Sequence, residues 1–203
     1  MAALLAAVAS PAGIPASPAH ATWSSTIDTL TAFTDTLIPG AKRFPGDTAV
    51  AGEAPGPGGA DSGFIALLTD QRTGTGPFLD AIATTLNTRA LGYAISHGIW
   101  IPPFVPPFVA LAFRHRSAVV AGLFEPDQPD RDLWSVMVLL SGIAFDAAAH
   151  LPTAAAVISG HPGLTYLRFP EPDPDGLWRH PTYSYRRSLA TAHPQTTAEG
   201  NPS

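Results

Sequence analysis

Apolar residues recur at helical spacing in six separate segments of the chain. The apolar positions of the first segment are Ile27, Leu30, Phe33 and Leu37. Pro39 and Gly40 follow this segment directly, and such a pair ends a helix abruptly. The pattern predicts a short amphipathic helix that Ser24 or Ser25 caps and that stops at a fixed corner.

The other five segments cover residues 60–70, 78–97, 108–124, 133–149 and 153–159. Residues 133–149 leave almost no polar face. This predicts a buried central helix rather than a membrane span, because the segment is short and contains Asp146. Arg114 and Arg116 are interpreted as part of a solvated face, the alternative being that they neutralise an anion or a buried Asp146. The six segments predict an all-α fold, a single-domain irregular bundle of five to six helices with long Pro/Gly-rich loops.

The connections between these helices are rich in proline and glycine. Residues 99–107 contain two proline pairs around Phe104 and Val105, which predicts an extended connector whose aromatic content packs against the protein. Beyond Pro162 the pattern is irregular, yet residues 164–189 hold too many aromatic residues for a disordered tail. We therefore expect a helical domain over residues 22–190 and a flexible tail over residues 191–203.

The first 21 residues allow two interpretations. A short apolar run is followed by Ala19-His20-Ala21, which has the small-x-small form of a signal-peptidase site. No Lys or Arg precedes Lys42, so a basic n-region is missing. Residues 1–21 are either a signal remnant, which predicts export to the periplasm or the exterior, or a disordered tail of a cytoplasmic protein.

Composition narrows the classes of function. The chain has 203 residues, a net charge of -5 and only 11 basic residues, so no cationic surface for nucleic acid is expected. The absence of cysteine excludes disulfides, thiolate nucleophiles, cysteine-ligated zinc and iron–sulfur clusters. No glycine-rich segment fits the dinucleotide-binding pattern. The sequence therefore predicts no bound cofactor.

Three residues are weak candidates for catalysis. Asp146 and His150 are four residues apart, so on one helical face they could share a proton or ligate a cation. A structural ion pair is the alternative, and no complete metal-ligand set is present, so no metal site is predicted. His97 is a further candidate, for acid or base chemistry in an apolar pocket lined by residues 102–108. These residues support a second hypothesis, a cofactor-independent enzyme or a small-molecule-binding protein.

The C-terminal part of the chain mixes aromatic residues with arginine, as protein interfaces do. The residues proposed to bind a partner are Trp178, Arg179, Tyr183, Tyr185 and Arg186. The alternative is that they pack against the helices of the same chain.

Residues 29–40, which contain Asp35-Thr36-Leu37-Ile38-Pro39, and the following Ala49-Val50-Ala51-Gly52 resemble the start of the gluconate 2-dehydrogenase small-subunit family. The segment from His161-Pro162-Gly163 to His193-Pro194 resembles a related uncharacterised bacterial secreted family. The resemblance implies a helical, cofactor-free accessory subunit. Such a subunit is exported with a flavin-dependent glucose–methanol–choline-type oxidoreductase and assists its folding or translocation. The resemblance therefore favours a non-catalytic subunit that binds its partner through the first-helix corner and the aromatic tail.

Overall fold

The computed structural model describes residues 23–174 and Trp178. These residues form eight α-helices and three short 3-10 helices, with no strand among them. The α-helices are α1 (Trp23–Leu37), α2 (Phe64–Thr69), α3 (Leu79–Ser96), α4 (Pro107–Ala110), α5 (Phe113–Gly122), α6 (Arg131–Ala147), α7 (Thr153–Ile158) and α8 (Pro162–Tyr166). The 3-10 helices are Gly59–Asp61, Gln71–Thr73 and Gly76–Phe78. The predicted all-α fold is confirmed.

Helix α1 is the central helix of this arrangement. It contacts α2, α3, α4, α5 and α6. Leu30 and Phe33 are fully buried, and the Phe33 ring packs on Trp134 of α6 with the ring centroids 5.6 Å apart. Polar residues of α1 are buried as well, and Thr26 donates a hydrogen bond of 2.6 Å to Asp80 at the start of α3. The predicted central role of residues 133–149 is therefore wrong in part, because α6 buries one face and leaves Leu139 exposed.

Two of the predicted helices are interrupted. Gly63 adopts a left-handed conformation, with a φ of 76°, and separates the 3-10 helix Gly59–Asp61 from α2. Leu111 and Ala112 are extended and divide the predicted helix 108–124 into α4 and α5. The prediction for α3 agrees with the structure to within one residue at each end, and Gly98 has the positive φ of a helix stop.

Helices α7 and α8 pack together beyond the end of α6. Ala148 ends α6 in a left-handed conformation, with a φ of 48°. The α7–α8 pair has its own small core, made of Ala148, Ala156 and Leu164, apart from the main core. Helix α8 was missed by the sequence pattern, which reads as irregular after Pro162.

Residues 170–203 form a second compact unit. In its described part the indole N–H of Trp178 donates a hydrogen bond of 2.8 Å to the carbonyl of Pro170. The other predicted partner-binding residues, Arg179, Tyr183, Tyr185 and Arg186, lie outside the described residues, as do residues 1–21 and 191–203. Across the described chain, no helix has both the length and the apolar content to cross a bilayer.

Candidate functional site

The corner after α1 packs against the same chain. Ala41 donates a backbone hydrogen bond of 2.8 Å to Gly56, and Gly59 donates one of 2.9 Å to Ile38. Gly40 and Gly58 approach so closely that a Cβ atom on Gly40 would overlap the backbone nitrogen of Gly58. The corner is thus a backbone contact between two loops, and its residues 37–39 are only half-exposed.

Asp35 lies one turn before this corner and is 0% exposed. Its Oδ2 accepts a hydrogen bond of 2.8 Å from the Ala51 amide and lies 3.8 Å from a terminal nitrogen of Arg116. Its Oδ1 has no hydrogen bond of standard geometry. Burial raises the pKa of Asp35, and the amides of Ala51 and Gly40 and the charge of Arg116 oppose this rise.

Arg116 of α5 is only 3% exposed and donates hydrogen bonds to four backbone carbonyls. The acceptors are Leu111 (2.9 Å), Ala49 (2.7 Å), Thr48 (2.6 Å) and Val109 (2.5 Å). Burial lowers the pKa of Arg116, and the charges of Asp35 and Asp47 oppose this decrease. The interpretation of Arg116 as part of a solvated face is wrong, although its neighbour Arg114 is exposed.

Asp47 stabilises the loop that contains two of these carbonyls, those of Thr48 and Ala49. Its buried carboxylate accepts hydrogen bonds from the amides of Ala49 and Val50, at 3.2 and 3.1 Å. It also accepts two from Arg43, at 2.6 and 3.0 Å. Burial acts to raise the pKa of Asp47, but the hydrogen bonds from Arg43 and Val50 outweigh it and lower that pKa. Asp35, Arg43, Asp47 and Arg116, hereafter the buried charge network, fix loop 41–51 against α1 and α5.

A cavity of about 360 Å³ lies over this network. The connector contributes Pro102 and Val105 to its lining. The remaining lining residues are Lys42, Asp47, Thr48, Val50, Ala51, Glu53, Val109, Ala110, Leu111, Ala112, Phe113 and Arg116. Asp146, His150 and His97 are not among them.

The structure does not bring the three weak catalytic candidates together in one site. His97 is exposed at the end of α3, where its ring stacks on Tyr93 at 3.9 Å between centroids and its Nδ1 bonds the Tyr93 carbonyl. Asp146 is exposed on the last turn of α6. Because α6 ends at Ala147, His150 is outside the helix, and the prediction that Asp146 and His150 share a helical face is wrong.

His150 instead faces a second histidine. Its ring centroid is 5.5 Å from that of His161, and its Nδ1 is buried without a hydrogen-bond partner. Burial first, and then the charge of His161, lower the pKa of His150. Within the described part of the chain, no group of three or more His, Asp or Glu side chains is arranged to hold a metal ion.

Four large apolar side chains are exposed at the end of α3 and in the connector. They are Leu91, Ile95, Trp100 and Phe104, hereafter the apolar rim. Trp100 is 75% exposed, and Phe104 is fully exposed with a φ of 71°. The expectation that the aromatic content of the connector packs inward is wrong for both Trp100 and Phe104, whereas Val105 does pack on the core.

The sequence pattern missed the buried charge network, although one signal for it existed. Asp35 is the only charged residue between Thr29 and Gly40. A helix with so few charges is typical of burial on all sides, where a carboxylate needs a cationic partner. Nothing in the spacing identifies Arg116 as that partner.

Comparison with curated proteins and with solved structures yields no match. A family model described as a family of unknown function, DUF5987, matches residues 24–203. The match spans the helical unit, with its buried charge network and apolar rim, and the C-terminal unit. The chain therefore belongs to the DUF5987 family of unknown function.

Proposed function

We propose that the protein is a non-catalytic accessory protein that binds a protein partner through the apolar rim. The exposure of Trp100 and Phe104 carries this proposal. Large apolar surfaces left open on a soluble domain mark interaction sites, and exposed aromatic residues supply much of the binding energy at interfaces.

The backbone at Phe104 supports this role. A left-handed conformation is an outlier for a bulky residue and costs on the order of 1–3 kcal/mol. Here it occurs at a fully exposed ring, directly before Val105, which packs against the core. The free-energy cost of this backbone conformation is offset by burial of the Phe104 ring once a partner covers it.

The resemblance of residues 29–40 to the gluconate 2-dehydrogenase small-subunit family suggests the class of partner. We propose a flavin-dependent oxidoreductase subunit, with export of the two chains together. The apolar rim contains no charged side chain, so it suits an apolar patch on that subunit rather than a charged one.

Substitution of rim residues should weaken this association. Trp100→Asp and Phe104→Asp are each expected to weaken binding to the flavin-dependent oxidoreductase encoded nearest to this chain by at least about 30-fold, because hot-spot residues contribute about 2 kcal/mol or more. The measurement is co-purification of co-expressed chains, followed by titration of the purified components.

Ile158→Asp is the matched control, since Ile158 of α7 is 74% exposed and lies outside the rim. This variant should bind as the wild type does. Failure of the wild-type chain to bind the flavoprotein contradicts the proposed partner. Equal binding by all three variants contradicts the rim as the binding surface.

The cavity favours a second candidate function, the binding of a small molecule. Its volume suits a ligand of few atoms, Val50, Val105 and Val109 offer an apolar floor, and Lys42 and Glu53 supply opposite charges. An α-amino acid with an apolar side chain matches this combination. Arg116 is not available to such a ligand, because backbone carbonyls already occupy its donors.

Calorimetric titration with leucine tests this candidate. Lys42→Gln and Glu53→Gln should each weaken binding by about tenfold, the usual effect of losing a charge-assisted hydrogen bond. Arg114→Gln, an exposed substitution away from the cavity, should leave binding unchanged. Absence of measurable binding at millimolar leucine contradicts the candidate.

A further inference from the structure

The α7–α8 corner packs on the rest of the protein through a small apolar core and through Tyr166, whose ring meets that of Phe145 edge-on with the centroids 6.3 Å apart. Its own core consists of Ala148, Ala156 and Leu164, with Val157 packed beside them. Gly163 places the backbone of α8 directly against the carbonyl of Phe145 at the end of α6. A segment with so small a core opens locally at low cost unless polar contacts secure it.

His161 supplies such contacts at the start of α8. Its Nε2 lies 3.1 Å from the carbonyl of Ser62, and a carbonyl can only accept, so Nε2 carries a proton. Its Nδ1 accepts a hydrogen bond of 3.3 Å from the Leu164 amide, so Nδ1 carries none. The geometry therefore requires the neutral Nε2–H tautomer, which connects α8 to the loop before α2.

His150 packs against the same loop. Its ring lies on Gly63, where any Cβ atom would overlap the imidazole. Its Nδ1 is buried and without a partner, which a neutral ring tolerates better than a charged one. The neighbouring ring of His161, with its centroid 5.5 Å away, adds repulsion once both rings are charged.

We infer that His150 and His161 form a pH-sensitive latch, which holds α8 while both rings are neutral and releases α8 when either ring is protonated. This latch does not depend on the proposed function. A proton added to Nδ1 of His161 faces the Leu164 N–H, so the hydrogen bond that caps α8 is lost. A proton added to His150 places an uncompensated charge against Gly63 and His161.

Two carboxylates, those of Asp61 and Asp146, lie on the elements packed against the pair. Asp61, on the 3-10 helix packed against α8, accepts a hydrogen bond from the Gly58 amide. Asp146 of α6 is exposed, and so are Tyr166 and Arg168 after the cap.

The direction of the pH effect follows from the lowered pKa of His150. Its ordinary value is 6.5, and the folded value is below this. The unfolded segment therefore binds more protons than the docked one as the pH falls. The contribution of His150 to docking is complete above about pH 6.5 and is lost as the pH falls from there toward the lowered folded pKa.

Hydrogen exchange of the α8 amides tests the latch. Protection factors for residues 164–167, corrected for the intrinsic effect of pH, should be lower at pH 5.0 than at pH 7.5, because the released segment binds more protons than the docked one. His161→Asn keeps a side-chain oxygen that can accept from Leu164 but cannot be protonated. The double variant His150→Phe with His161→Asn should show no such decrease.

His97→Asn is the matched control, because His97 is exposed at the end of α3 and should leave the acid response intact. Equal wild-type protection at the two pH values overturns the latch, and so does an undiminished response in the double variant. Imidazole titration by NMR is the second measurement, made on the wild-type chain. The Leu164 amide shift should follow the same midpoint as one of the two rings, and an amide shift that follows neither overturns the latch as well.

Discussion

Replacing Arg116 by methionine is expected to destabilise the protein by about 3–5 kcal/mol, the cost of breaking a buried ion pair by removing one partner. The side chain is nearly inaccessible and donates to four backbone carbonyls, and those of Leu111, Ala49 and Val109 are buried and would lose a donor without gaining water. Asp35, whose pKa burial already raises, would lose the positive charge that opposes this rise. The free energy of unfolding in urea measures the effect.

Arg114→Met provides a matched control on the same helix. Arg114 is exposed, so its substitution should change the free energy of unfolding by no more than about 0.5 kcal/mol. Arg116→Lys should lie between the two, because an ammonium group keeps the charge but has too few donors for four carbonyls. Similar stability of the Arg116→Met and Arg114→Met proteins would contradict the structural role of the buried charge network.

Gly40→Ala is expected to destabilise the protein by more than about 2 kcal/mol. The added methyl group would overlap the backbone of Pro57 and Gly58, which cannot rotate away as a side chain can. The loops after α1 and before the 3-10 helix Gly59–Asp61 would separate, and with them the hydrogen bonds of Ile38 and Ala41. Thermal unfolding of the purified variant measures the loss.

Gly46→Ala is the control for this change. Gly46 lies in the same exposed loop, has no atom within 4 Å of the added Cβ and does not have a positive φ. Alanine there should be neutral or stabilising by up to about 1 kcal/mol, because it restricts the unfolded chain. If both alanine variants unfold at the wild-type temperature, the close contact of Gly40 and Gly58 does not hold the corner.

Local sequence signals predicted the helices whose ends do not depend on contacts with distant parts of the chain. The bounds of α3 follow from its apolar period and from Gly98, which needs no distant partner to stop a helix. Helix α8 also had a local signal, since Pro162 at the first helical position fits a helix start after His161. With only five residues, α8 is too short to show the apolar period of a helix.

Most of the incorrect predictions concern residues whose structure depends on contacts between distant parts of the chain. The carbonyls of Val109 and Leu111 turn toward Arg116, so the backbone is extended where the apolar period predicted one continuous helix. Arg116 itself looks like a surface residue beside Arg114 and His115, because its partner Asp35 is remote in the sequence. The prediction that Asp146 and His150 share a helical face failed because of a local feature. Ala148 is left-handed and turns the chain between these two residues, which a continuous helix would place on one face.

The Arg116 acceptors come from two separate segments, residues 48–49 and 109–111, while Asp35 comes from a third. A guanidinium that left water before these segments met would be buried without partners, which is costly. Its burial is therefore concerted with the docking of loop 41–51 on α1 and α5. We therefore expect a kinetic consequence: contacts that need three segments together should form late in folding, so that loss of Arg116 chiefly speeds unfolding and changes the folding rate little.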